Sequence, residues 1–337
     1  MTELLVFAVV PAHSIDPGFL ADREGLPPGL RAITAGALAA VVGAAPEGGL
    51  KGRERAALLP WLLASQKVME RLLAQAPVLP VALGTVLEDE GRVHHMLSHG
   101  AGVLQGAFDA LGSRFEMDLS VRWNLDAVVA RRLAEIPAQL RHAADGGDAP
   151  ARRALGAMLE GLVAAERQEV RRRVMERLRA ATQDLAMTGP SEPDGVVSLA
   201  LLVDRGTDGA LVEVLEALDT EFGGKLTFRL VGPLPPYSFA SVHVHLAPAA
   251  AVRGARAELG VEPDAGPDAV KAAYRRALRL VHPDLVHQEA ATAAAGPLDG
   301  EEEGDTAGFL HLSAAYRVLQ AEAAPVSLRR QQEALPD

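Results

Sequence analysis

The sequence predicts an α+β chain: two ferredoxin-like-type α+β domains joined through a helical region, then a small all-helical C-terminal unit. Three observations carry this. Short apolar or alternating runs at 4–10, 115–123 and 196–203 read as strands. Long stretches of helical periodicity at 53–76 and 151–185 are interleaved with them. Beyond Pro248 the chain turns Ala-rich and helical.

Taken in order, residues 4–10 form a continuous apolar run, the pattern of a buried strand. A Gly/Pro-rich stretch follows, with room for a short helix around 19–23. Strands are expected at 31–35 and 38–42, with Gly36 at the turn. Leu59, Leu62, Leu63, Met69, Leu72 and Leu73 fall mostly on one face of the helix at 53–76, with Pro60 in its first turn or at a kink. Strand character returns at 78–81 and a helix is expected over 88–111. The order β, α, β, β, α, β is that of a ferredoxin-like unit ending near Gly112. The second unit starts with strict alternation at 115–123, where Met117, Leu119, Val121 and Trp123 alternate with polar neighbours. A helix at 126–142, a break at Asp145-Gly146-Gly147-Asp148 and a long helix at 151–185 form its helical insertion (about 126–187). A strand at 196–203, a helix at 208–222 and strands at 226–231 and 241–246 complete the sheet. The expected domains are therefore 1–112, 113–247 and 248–337.

Composition narrows the function. At 337 residues the chain is long for one domain, and 49 % apolar residues allow real cores. Acids outnumber bases, 44 to 33, for a net charge of −11, which disfavours a nucleic-acid partner. The Arg171-Arg172-Arg173 run is interleaved with Glu166, Glu169 and Glu176 and reads as a salt-bridged, solvated helix face. Cysteine is absent, which fits a reducing compartment and excludes disulfides. No signal-peptide pattern opens the chain, and no run approaches the ~20 apolar residues of a membrane span. A soluble cytoplasmic protein is expected. His243 with His245, and His94, His95 and His99, have strand or helix spacings compatible with metal binding but lack further ligands, and read as surface histidines. No phosphate-loop, nucleophile-elbow or metalloprotease pattern is present, so no cofactor, metal or catalytic residue is assigned.

The most informative stretch is Gly232-Pro233-Leu234-Pro235-Pro236-Tyr237-Ser238-Phe239. Its prolines fix φ and remove donors, so it is expected to be a rigid extended connection rather than the middle of a helix or paired strand. It presents Tyr237 and Phe239 at a fixed place. This stretch resembles a hallmark of the gas vesicle accessory proteins GvpF and GvpL. A second segment, Leu79-Pro80-Val81-Ala82-Leu83-Gly84-Thr85-Val86, is similar to another segment of that family. The departures are Leu234 where the family has Trp, Ala82 for Arg and Leu83 for Phe. The likeness covers roughly 1–247. It implies a non-enzymatic assembly factor or minor component, associated with gas vesicles, that contacts the small hydrophobic shell protein GvpA. Leu79, Pro80, Gly84, Thr85, Gly232, Pro233, Pro235, Pro236, Tyr237, Ser238 and Phe239 are then the signature and candidate partner-binding residues.

The tail carries a second resemblance. Leu259-Gly260-Val261, then Ala273-Tyr274-Arg275-Arg276, then His282-Pro283-Asp284, and later Ala315-Tyr316-Arg317-Val318-Leu319, resemble a J-domain. Such modules dock on DnaK-type chaperones. Lys271, Arg275 and Arg279 are spaced to form one basic stripe, and Pro283 must end their helix, which exposes His282 and Asp284. With these three, the stripe forms the docking set that the resemblance implies. The loop after Asp284 is Ala-rich and acidic, reaching Glu301-Glu302-Glu303. The alternative function is a general J-domain co-chaperone whose α+β domains bind diverse unfolded clients.

Overall fold

A computed structural model describes residues 3–15, 26–27, 29–50, 52–189, 192–281 and 306–330. The helix expected around 19–23, His282-Pro283-Asp284 and the acidic loop lie outside the described residues. The chain forms two compact units: Met1–Lys67, Val81–Ala110 and Val242–Leu328 make the first, and Val68–Pro80, Leu111–Ser241 and Arg329–Asp337 the second. The C-terminal helices thus share a unit with the N-terminal sheet.

In the first unit, β1 (Leu4–Pro11) pairs antiparallel with β3 (Leu38–Ala44), which pairs with β2 (Arg31–Ala35). Gly36, at φ +60°, permits the tight β2–β3 turn. The chain then leaves this unit within α1 (Arg55–Gln75), and β4 (Leu79–Pro80) belongs to the second; back in the first unit, β5 (Val86–Leu87) pairs with β1. Pro60 lies inside α1 rather than in its first turn. Only the second half of α1 is buried, through Val68, Met69, Leu72 and Leu73.

The expected helix at 88–111 is two helices, α2 (Glu90–His99) and α3 (Ala101–Leu111), broken at Gly100. The cause is a close approach: a Cβ on Gly100 would lie 2.5 Å from a methyl of Val326. Asp89 caps α2, its carboxylate accepting from the Arg92 N–H at 2.9 Å. The last part of this unit is α8 (Ala249–Leu259), α9 (Pro267–Val281) and α10 (Thr306–Ala323), packed around Ala255, Leu259, Val270, Ala273, Leu312, Ala315 and Leu319. Tyr274 stacks on Tyr316 with centroids 4.2 Å apart. Gly260 ends α8 in the left-handed region, as a helix C-terminus favours.

This tail is not all-helical. It continues into β11 (Val326–Arg329), which pairs with β10 (Ser241–Val244) in a two-stranded sheet. β10 therefore does not complete the second domain's sheet, as the sequence suggested. A four-residue strand fits either partner, and only a segment some eighty positions further along the chain decides between them.

The second unit is an antiparallel sheet of order β7-β8-β6-β9. Its strands are β6 (Phe115–Trp123), β7 (Asp184–Met187), β8 (Gly195–Val203) and β9 (Leu226–Leu234). β7 occupies residues assigned from the sequence to the end of the long helix. That helix, α6 (Ala149–Arg179), stops earlier. The expected helix at 126–142 is likewise α4 (Leu125–Glu135) and α5 (Ala138–Asp145), separated at Pro137, whose ring bars the preceding residue from helical geometry. Met117, Leu119, Val121 and Trp123 line the buried side of β6, and the Arg167 guanidinium of α6 lies 5.4 Å from the Trp123 ring centre. Val170, Val174 and Leu178 of α6 are buried, and α7 (Asp208–Glu221) packs beside them. The arginine run is the salt-bridged face anticipated: Arg172 holds Glu169 and Glu176, and Arg173 holds Glu169 and Glu221. Glu166 instead takes Arg131 and Arg132 of α4.

Candidate functional site

The proline-rich segment is extended, but its first residues are not a free connection: β9 runs through Gly232 and Pro233 to Leu234. This is tolerated because β9 is an edge strand, where a missing N–H breaks no second ladder. Glu116 faces Leu234 and Asp118 faces Val231, so β9 carries one extra residue here. The Gly232–Pro233 peptide is cis. No side chain fits at Gly232, because a Cβ would lie 2.3 Å from Met117 Sδ and 3.0 Å from the Glu116 carbonyl.

Past Leu234 the chain turns tightly. The Tyr237 N–H donates to the Pro235 carbonyl at 2.7 Å, and the N–H groups of Phe239 and Ala240 donate to the Pro236 carbonyl. The turn is pinned from below by Glu116. Its carboxylate accepts from the Ser238 N–H at 2.8 Å and from the Ser238 hydroxyl at 2.9 Å. Glu116 is 5 % and Ser238 3 % exposed. Burial pushes the Glu116 carboxyl up to about 7 against the pull of both Ser238 donors. Phe239 is buried, with the Arg330 guanidinium 5.7 Å from its ring centre, and Arg330 is held in turn by Asp184. Tyr237 keeps 40 % of its surface exposed. Burial of the remainder, with the Glu116 charge, pushes its hydroxyl up to about 12. The result is one partly exposed phenol on a rigid, internally anchored turn.

The other signature segment divides between the units. Leu79 and Pro80 are buried in β4 of the second. In the first, Gly84 sits at φ +85°, where a side chain would be strained, and the Thr85 hydroxyl donates to the Ala82 carbonyl at 2.6 Å. This turn is stitched to β1 and β10. The Val81 N–H donates to Phe7, the Val6 N–H to Thr85, and the Ala82 N–H to Val242.

On α9, Lys271, Arg275 and Arg279 are exposed, while Val270 and Ala273 opposite them are buried. Among the described residues no ion pair engages the stripe. The tail is fastened to α2: Arg92 makes a two-pronged pair with Glu322 of α10 at 2.7 Å and also donates to the Ala247 carbonyl. His95 Nε2 lies 2.9 Å from the Glu322 carbonyl, and the Glu88 carboxylate accepts from the Ala249 N–H. His245 Nε2 lies 2.7 Å from the Ser327 hydroxyl. No group of three or more metal-ligating side chains occurs among the described residues. No described helix is long and apolar enough to cross a membrane.

Sequence reasoning missed Glu116 and the Arg92–Glu322 pair. Glu116 stands on the polar side of an alternating strand, and no local signal marks it as buried. Arg92 and Glu322 are 230 positions apart.

This fold is shared with solved gas vesicle proteins. The family model for gas vesicle synthesis protein GvpL/GvpF matches residues 3–241, and the chain belongs to that family. Gas vesicle protein F of Streptomyces sp. (strain CB03234) is 28 % identical over 236 residues, covering 68 % of this chain and 96 % of that protein. Gas vesicle protein L of the same strain is 31 % identical over 254 residues, covering 70 % and 92 %. The crystal structure of GvpF from Anabaena sp. PCC7120 superposes with a TM-score of 0.59 at 16 % identity, over 71 % of this chain and 98 % of that one. That of GvpF from Microcystis aeruginosa gives 0.56 at 18 %, with the same coverage. The family match ends at Ser241, so α8, α9, α10 and β11 lie beyond it.

Proposed function

We propose that this protein is a non-enzymatic gas vesicle assembly factor that binds the shell protein GvpA and carries a J-domain-like tail able to recruit a DnaK-type chaperone. Family membership supports the gas vesicle role. The observation that carries the binding role is the anchored turn at 235–240. Glu116 and Phe239 hold it from inside, so Tyr237 meets a partner without an ordering cost. A shell subunit with a strongly apolar face aggregates unless that face is covered before assembly. The exposed stripe Lys271, Arg275 and Arg279 supports the tail's role, since an acidic chaperone surface would meet cations that no ion pair among the described residues engages. The ATP chemistry belongs to the partner.

One observation favours the second reading, a general co-chaperone. Leu59, Leu62 and Leu63 on the first half of α1 are 55, 43 and 52 % exposed, an apolar ridge able to take varied clients. Capture from cells making gas vesicle proteins separates the two. Enrichment of GvpA over unrelated hydrophobic proteins supports the first reading, and equal capture of both supports the second. For the tail, His282→Gln is expected to abolish stimulation of the chaperone's ATPase while leaving thermal stability nearly unchanged. Equal loss of both makes the histidine structural.

A further inference from the structure

The turn that presents Tyr237 closes over an acid with no counter-charge. Among the described residues, the Glu116 carboxylate takes hydrogen bonds from Ser238 alone and has no ion pair. Strand register sets apolar groups on both flanks, Leu202 of β8 and Leu234 of β9. Beyond Leu202 in the same row stands Asp184 of β7. Along β6, Asp118 acts on Glu116 as a like charge. From the turn come the Ser238 donors and the Tyr237 phenol. Arg122, Arg229 and Arg330 on this side of the sheet answer Glu192, Asp118 and Asp184 instead.

The closed turn suits the neutral carboxyl. With a proton on Oε1, that O–H donates to the Ser238 hydroxyl oxygen while Oε2 still accepts the Ser238 N–H. Both contacts survive and no charge is buried. The carboxylate keeps both contacts as an acceptor but holds a charge out of water, which burial penalises. When the turn lifts, Ser238 leaves and the carboxyl regains water. Closure therefore binds a proton that opening releases. Burial moves the closed carboxyl from 4.5 to about 7, so this exchange falls near neutral pH.

We propose that the turn at 235–240 is a proton-linked latch, shut tightest over a neutral Glu116 and loosened as that carboxyl ionises. This rests on the reading of the turn as a partner-binding element, since the latch sets how firmly Tyr237 is presented. A carboxyl raised in the closed state favours closure at low pH. Opening climbs as pH rises towards about 7 and levels off above it, so the opening constant should grow about tenfold between pH 6 and 8. The test is hydrogen exchange of the full chain without partner at pH 6, 7 and 8. Protection of the Ser238 N–H, after division by its intrinsic exchange rate, should fall about tenfold in the wild type and stay level in Glu116→Gln. Carbon-13 NMR of the wild-type Glu116 carboxyl should titrate near neutrality, a reading that needs no variant. Three results overturn the proposal: level Ser238 protection in the wild type, a carboxyl that titrates in the ordinary acid range, or Ser238 protected as strongly as the β8 core amides, which would mean that the turn opens only with the whole sheet. With no partner present, such a failure sinks the latch alone, whereas failure to bind GvpA sinks the partner reading and leaves the latch standing.

Discussion

Glu116→Gln tests the buried anchor most sharply, because the carboxyl's environment sets a pH dependence of known sign. Its pKa is raised from the ordinary 4.5 to about 7, chiefly by burial. Between those values the folded chain binds a proton that the unfolded chain has released, so stability falls as pH rises. The group's contribution is fully present below 4.5 and is lost as pH passes through about 7. At ~1.36 kcal/mol per pH unit, a rise from 4.5 to about 7 makes that loss roughly 3 kcal/mol. Glutamine has the same shape, still offers an acceptor to Ser238 and does not ionise. The stability difference, variant minus wild type, should therefore grow in the variant's favour by up to roughly that amount between pH 4.5 and 8. Urea unfolding at a series of pH values reads this, followed by Trp123 fluorescence in a Trp61→Phe background so that the signal comes from the second unit. A difference that stays flat across this range would refute the reasoning, since it would mean that burial does not hold the carboxyl up.

Three further outcomes are expected. Gly232→Ala places a methyl against Met117 Sδ and should cost about 1–3 kcal/mol as an overpacked site, and Met117→Ala in the same chain should recover part of it. Gly100→Ala drives a methyl into Val326, so hydrogen exchange in β11 should speed up, and adding Val326→Ala should slow it again. Glu322→Ala leaves Arg92 unpaired where the two side chains are only 13 % and 9 % exposed, a loss on the order of 3–5 kcal/mol for a buried pair. Exchange protection in α8 and α10 should then fall while that of β6 and β8 is unchanged. Equal loss in both units would show that the pair does not act locally.

Much of the framework is legible in local pattern. β2 and β6 lie at their expected bounds, because the alternation at 115–123 has one reading. β1 and β8 depart from expectation only at their ends. The departures have nonlocal causes. Gly100 looks helical until Val326 arrives against it. The Asp184–Met187 segment is too short to announce itself after a long helix, and pairing with β8 makes it a strand. Pro233 argued against a paired strand, and the argument fails only because β9 is an edge. At the site, the residues of the rigid turn were visible as prolines and glycine, but its anchor was not. Glu116 is 122 positions from Ser238, and nothing in an alternating strand distinguishes a buried acid from a solvated one.

Point variants are the right tool for the partner question. Truncation near Pro248 would remove β11 from β10 and Glu322 from Arg92, and so damage the first unit itself. The most direct test is the affinity of purified full-length chain for GvpA, wild type against Tyr237→Ala. The account predicts binding at least about tenfold weaker in the variant, the cost of losing an aromatic anchor at an interface. Undiminished GvpA binding by a folded Tyr237→Ala chain would contradict it.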